Sequence, residues 1–159
     1  MSPKIGMAMP DIDVHIKDEN GIDTINMAAF CADKTIALFT VPGAFTPTCS
    51  LKHVPSYVEH YDALRAKGID EIICLSVNDA HVMQAWGKDL QTEGKITMIA
   101  DSHALLADAL GLAVNMGPVL GTRAGRASMV IKNGEISHSF IEQPMEYKLS
   151  SAEYMLSML

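Results

Sequence analysis

The sequence predicts an α/β fold built around a mixed β-sheet. Three observations predict it. Apolar runs at 35–41 (TIALFTV), 71–77 (EIICLSV) and 96–100 alternate with helical patterns, the order expected of strand–helix–strand units. Asn133-Gly134 separates the apolar segments 127–132 and 135–141, a strong hairpin signal that adds antiparallel strands. With 48% hydrophobic and 19% charged residues, the 159-residue chain has enough apolar surface to fold, and its length suits a single domain over 1–159.

Each element has a local cause. The first thirty residues are turn-rich, and Asn20-Gly21 marks a hairpin. Thr35–Val41 ends at Pro42-Gly43 and reads as a buried central strand. From Cys49 to Lys67 the spacing turns helical, with Leu51, Val54, Val58, Tyr61 and Leu64 on one face. Pro55 inside this pattern predicts a kink, and Gly68 a C-terminal stop. Asn78 or Asp79 can cap the next helix, which carries Val82, Met83 and Trp86. A short helix is expected at 104–110, an irregular glycine-rich stretch at 111–126, and a last helix capped by Ser150 or Ser151.

Charge and cysteine usage exclude several functions. A net charge of −7 argues against nucleic-acid binding and against attraction to anionic membranes. No run reaches the roughly 18 apolar residues of a membrane span. The start shows no secretory signal, and the three cysteines (Cys31, Cys49 and Cys74) form no CxxC, so free thiols in a reducing, cytoplasmic setting are expected. The Ser-Met-Leu end only loosely echoes a peroxisomal address, because the central base is missing.

The chemistry concentrates at Val41-Pro42-Gly43-Ala44-Phe45-Thr46-Pro47-Thr48-Cys49. A strand ends, a stiff loop follows, and a cysteine opens a helix. The first helical turn has free N–H groups and partial positive charge, which stabilise a thiolate, the nucleophilic form. Thr46 can turn its hydroxyl towards the sulfur or a substrate oxygen. On residue type alone, a buried structural cysteine remains an equal reading.

Residues 42–50, Pro-Gly-Ala-Phe-Thr-Pro-Thr-Cys-Ser, resemble the active-site loop of the peroxiredoxins, and the whole string is similar to the peroxiredoxin-5 or type II subfamily. The likeness extends to 74–79 (CLSVND), Trp86-Gly87 and 126–130 (RASMV). It implies a thioredoxin-like three-layer fold, with a central mixed sheet flanked by helices, and the reduction of hydrogen peroxide and organic hydroperoxides. It implies Cys49 as the attacking cysteine, Pro42 as its shield, Thr46 as a peroxide contact and Arg126 as the active-site arginine. Arg123 is the competing arginine, and a surface role for Arg126 is the plainer reading without the family match.

The thiolate attacks one peroxide oxygen and charge builds on the other, so fixed donors are needed there. Thr46, the N–H groups of Thr48 and Cys49, and Arg126 can supply them. His53, four residues after Cys49, falls on the same helical face. It is either a pocket group that contacts substrate or moves a proton, or a half-buried helix histidine. A Cys–His metal pair lacks further ligands, so neither metal nor cofactor is expected.

Some members of the subfamily carry a second cysteine near the C-terminus, whereas this chain has none after Cys74. Cys74 and Cys31 read as core thiols. A one-Cys cycle follows, completed by glutathione with glutaredoxin or by thioredoxin. The resemblance also implies a homodimer packed near the loop, with Phe45 and Trp86 as interface, pocket-wall or core aromatics. Rival readings are a thiol–disulfide oxidoreductase or glutathione-dependent transferase, and a redox-sensing binding module without turnover.

Overall fold

Alternation along Thr35–Val41 organises the molecule. In the computed structural model, which describes residues 3–159, Ile36 and Leu38 enter one apolar core while Ala37, Phe39 and Val41 enter another. A strand whose two side-chain rows are both buried must lie inside a sheet covered on both faces.

The strands and helices follow in chain order. β1 (Asp13–Asp18) and β2 (Gly21–Asn26) lead to α1 (Met27–Cys31) and β3 (Thr35–Val41). A π-helical turn (Cys49–His53) runs into α2 (Val54–Glu59) and α3 (Tyr61–Ala66). Next come β4 (Glu71–Ser76), α4 (Ala80–Asp89), β5 (Thr97–Ala100) and α5 (Leu105–Ala109). β6 (Ala113–Asn115), α6 (Gly117–Leu120) and β7 (Thr122–Ala124) precede β8 (Ala127–Lys132), β9 (Glu135–Ile141) and α7 (Ala152–Met158).

Seven strands form one sheet in the order β2-β1-β5-β4-β3-β8-β9, with β3 parallel to β4 and antiparallel to β8. The mixed sheet flanked by helices is the thioredoxin-like architecture. The core on the Phe39 side holds Cys49, Tyr57, Leu64, Cys74, Trp86 and Met155, from the π-helical turn, α2, α3, α4, α7 and the sheet. Cys31 lies in the opposite core. The sheet therefore separates Cys31 from Cys49.

Local signals set several boundaries. Asn133 and Gly134 take φ of 50° and 81°, as a two-residue type I′ turn requires. Gly68, at φ 94°, closes α3 through bonds from Gly68 N–H to Arg65 O and from Ile69 N–H to Leu64 O, a Schellman stop. Asp79 caps α4 by accepting from Val82 N–H at 2.9 Å, and Ser151 caps α7 by accepting from Tyr154 N–H at 3.1 Å.

Three expectations are corrected. The first hairpin turns at Glu19-Asn20, one residue early, because Asp18 pairs with Gly21. The 111–126 stretch contains the β6–β7 pair and α6 rather than only loop. The helix expected from Cys49 to Lys67 is three pieces. Pro55 has no N–H to offer Leu51 O, and its ring would press on that carbonyl in an α-helix. The chain widens instead, with Val54 N–H bonding Cys49 O five residues back. A second break falls at His60, which leaves the helical region at φ −99°, ψ 17°.

Candidate active site

The loop after β3 is held from two sides. Asn78 Oδ1 accepts Ala44 N–H at 2.9 Å and also takes the Ser76 hydroxyl. Across the loop, Arg123 donates from Nη1 to Pro42 O at 3.3 Å and from Nε to Leu120 O at 2.9 Å. A Cβ on Gly43 would stand 2.6 Å from Arg123 Nη1, so a larger residue there would displace the end of this arginine. Phe45 adopts φ 64° with its ring more than half exposed and 6.4 Å from Trp86. Trp86 itself is buried and donates from Nε1 to Ser50 Oγ at 2.9 Å.

Thr46 opens the helical turn. Ser50 N–H bonds Thr46 O at 3.0 Å, so the N–H groups of Thr48 and Cys49 lie in the first turn, where a helix has no earlier carbonyl to offer. The Thr46 hydroxyl donates to Gly43 O at 2.7 Å. Its proton is committed, so towards any further partner it offers lone pairs rather than a donor.

Cys49 has no exposed surface. Arg126 Nη2 donates to Cys49 Sγ at 3.1 Å, and Nη1 donates to His53 Nδ1 at 2.7 Å. Among the described residues the close contacts between carboxylates and basic side chains are His60–Glu153 and Lys148–Glu146, so no carboxylate pairs with Arg126. The positive charge is left to the sulfur. The β3–β8 register explains the placement: Thr40 pairs with Ala127, and Thr40 Oγ1 holds Gly125 O at 2.7 Å. Arg126 thus stands level with Val41, where the loop begins.

His53 is buried, and both ring nitrogens are taken. Nε2–H donates to Ser150 O at 2.9 Å and Nδ1 accepts from Arg126. Burial, followed by the Arg126 charge, lowers its pKa to about 3. The imidazole is therefore neutral and locked in one tautomer. In this arrangement neither nitrogen is left for a substrate or for proton transfer near neutral pH, which corrects that expectation.

The other cysteines are thiols. Burial, reinforced by the nearby Cys49, pushes Cys74 well above the ordinary range. Burial raises Cys31 to about 11, with Lys34 opposing. A cavity of about 370 Å³ adjoins the loop, lined by Pro42, Thr48, Val114, Met116, Arg126 and Tyr147. The structure therefore brings Cys49, Arg126 and His53 into one hydrogen-bonded set, and places Pro42 and Thr48 at the cavity wall beside it.

Three residues at the site go unmarked by the sequence patterns: Asn78 as a loop clamp, Arg123 as a backbone clamp, and Tyr147, whose ring lies 5.9 Å from the Arg126 guanidinium carbon. Asn78 stood inside the matched string 74–79, a usable signal; the others depend on long-range packing that spacing does not encode. One surface group, Glu59, His60 and Glu153, brings three possible metal ligands within 4.8 Å of one another. His60 Nδ1 already donates to Ser56 O at 2.9 Å, and the group shares no residue with the cysteine site.

A cysteine at a helix start on a thioredoxin-like sheet, with a guanidinium on its sulfur, defines a thiol-based redox enzyme. The Redoxin family model matches residues 4–156. Peroxiredoxin-2D of Arabidopsis thaliana is 40% identical over 157 residues, covering 98% of this chain and 97% of that protein. The reduced Prx3 of Vibrio vulnificus in complex with hydrogen peroxide superposes with a TM-score of 0.95 at 38% identity, covering 98% of both chains. The Plasmodium falciparum antioxidant protein, described as a 1-Cys peroxiredoxin, gives 0.91 at 28% identity, covering 98% of this chain and 97% of that one. The chain belongs to the Redoxin family and, within it, to the peroxiredoxins. It is a thiol peroxidase, using peroxides as oxidants and thiols as reductants.

Proposed function

We propose that the protein reduces hydrogen peroxide and alkyl hydroperoxides by a one-Cys cycle at Cys49. The contact of Arg126 Nη2 with Cys49 Sγ at 3.1 Å carries this reading. The thiolate attacks one oxygen of ROOH; an S–O bond forms, the O–O bond breaks, and RO⁻ leaves to be protonated as ROH. Sulfur is oxidised to sulfenic acid as the peroxide is reduced. Arg126 and the first-turn N–H groups of Thr48 and Cys49 stabilise the charge in transit, and Thr46 accepts a hydrogen bond from the incoming peroxide. Pro42 and Thr48 border the entry.

Regeneration falls to an external thiol. Glutathione condenses with the sulfenic acid, releasing water and leaving a mixed disulfide; a second thiol then frees Cys49, with glutaredoxin the favoured partner and thioredoxin the alternative. The raised Cys74 and Cys31 thiols and the sheet between Cys31 and Cys49 support a cycle without an internal disulfide. Because Cys49 is buried, a protein thiol reaches it only after the π-helical turn opens. Exposed apolar side chains around the loop, among them Phe45 and Leu51, support a homodimer through this face, and the free cysteines suit a cytoplasmic setting.

The test is direct. Reduced protein mixed with one equivalent of hydrogen peroxide gains one oxygen by mass, at Cys49, and glutathione with glutaredoxin restores the thiol. Oxidation that persists in Cys49→Ser, or a stoichiometric Cys49–Cys74 disulfide, overturns the reading.

A further inference from the structure

Glu142 follows β9, and its N–H bonds Arg126 O at 3.1 Å. Its carboxylate is used lopsidedly. Oε2 accepts from Lys148 N–H at 2.6 Å, Leu149 N–H at 2.8 Å, Ser150 N–H at 2.9 Å and Ser150 Oγ–H at 2.7 Å. Oε1 is buried and unpartnered among the described residues. A buried carboxylate oxygen without a protein partner is costly, and such atoms in a folded protein ask for an explanation. The four donors to Oε2 bend the 148–150 backbone into one shape and fix Ser150 O. That carbonyl accepts from His53 Nε2 at 2.9 Å and from Tyr57 OH at 2.9 Å.

We infer that Glu142 is a positioning residue for the peroxidatic site, acting through Ser150, His53 and Arg126 on Cys49. The steps are all hydrogen bonds. Glu142 fixes the Ser150 carbonyl, which demands Nε2–H on His53. The ring must then present an unprotonated Nδ1, and this captures Arg126 Nη1 at 2.7 Å. With Nη1 held by His53, Nη2 of the planar fork lies 3.1 Å from the sulfur. Were the Ser150 carbonyl to move, His53 could take the other tautomer, and Nδ1–H would face the guanidinium as a second donor. Glu142 also lines the cavity beside the loop, but on this account its carboxylate acts through Ser150 and makes no hydrogen bond to the sulfur or the peroxide. The inference rests on the proposed peroxide chemistry at Cys49 for its rate readout, but not for its spectroscopic one.

The experiment combines ¹⁵N NMR of the histidine ring nitrogens with stopped-flow oxidation of Cys49 by hydrogen peroxide. In the parent protein, His53 should show only the Nε2–H tautomer and should not titrate between pH 5 and 8. In Glu142→Leu, near in size but with no acceptor, the single-tautomer pattern is lost and oxidation slows about tenfold. Glu142→Gln keeps an acceptor and restores the tautomer and most of the rate. In a His53→Phe background, Glu142→Leu adds no further loss, since both act along one path. A parent His53 that titrates or carries the proton on Nδ1 overturns the inference, even if Glu142→Leu does not fold. Unchanged nitrogen shifts and rate in Glu142→Leu overturn it too, as do additive losses in the double variant. If the parent itself is not oxidised at Cys49, the peroxidase reading fails while the nitrogen shifts still decide the role of Glu142.

Discussion

Arg126 and Cys49, 77 residues apart in the chain, meet through a 3.1 Å hydrogen bond from Nη2 to Sγ. A second arginine, Arg123, lies close by but spends its guanidinium on the carbonyls of Pro42 and Leu120. One arginine serves the sulfur and the other holds the loop that covers it.

That division predicts unequal losses. Removing a donor aimed at developing charge costs about a hundredfold to a thousandfold in rate, and Arg126→Ala should lose that much in Cys49 oxidation by hydrogen peroxide. Arg123→Ala loosens only the loop backbone and should cost about tenfold. Stopped-flow oxidation of the two variants checks this, and equal losses would contradict the assignment.

Acid should destabilise the protein through His53. Its folded pKa, lowered by burial and then by Arg126, is about 3 against 6.5 for the free side chain. Between those values the unfolded chain binds a proton that the folded protein refuses. Stability is therefore full above pH 6.5 and is lost as pH falls towards 3, by up to about 1.4 kcal/mol per pH unit from this group. Urea unfolding across pH 3–8 should show a steeper acid limb for the parent than for His53→Gln.

Pro55 should matter for activity more than for stability. With an N–H at position 55, a bond to Leu51 O becomes available, and the π-helical turn can tighten to an α-helix. Pro55→Ala is expected to raise or preserve the melting temperature while slowing oxidation at least about tenfold, because Cys49 and His53 change their mutual angle. An unchanged oxidation rate would show that the widened turn is incidental.

Neither core thiol should contribute to turnover. A Cys31→Ala, Cys74→Ala double variant should be oxidised at the parental rate and recycled by glutathione with glutaredoxin as before. Intact-mass spectra of the oxidised parent should show added oxygen and no internal disulfide. Slower recycling in the double variant would assign one of these cysteines a resolving role.

Much of this protein is legible without coordinates because its causes are local. Asn133-Gly134 specifies its turn by tolerating two positive φ values, Gly68 ends α3 by the same freedom, and Pro55 withholds an N–H from Leu51 O wherever the chain goes. The strand–loop–cysteine order at 35–49 is a local arrangement too, and it put Cys49 at a helix start. Tertiary structure decided what surrounds that sulfur. Whether Arg123 or Arg126 reaches it depends on the β3–β8 register, which sets Ala127 against Thr40. Whether His53 is a proton carrier or a neutral strut depends on a carbonyl 97 residues away, at Ser150. Hydrogen bonds and burial between distant segments exist only after the sheet has paired, and no spacing in the sequence records them.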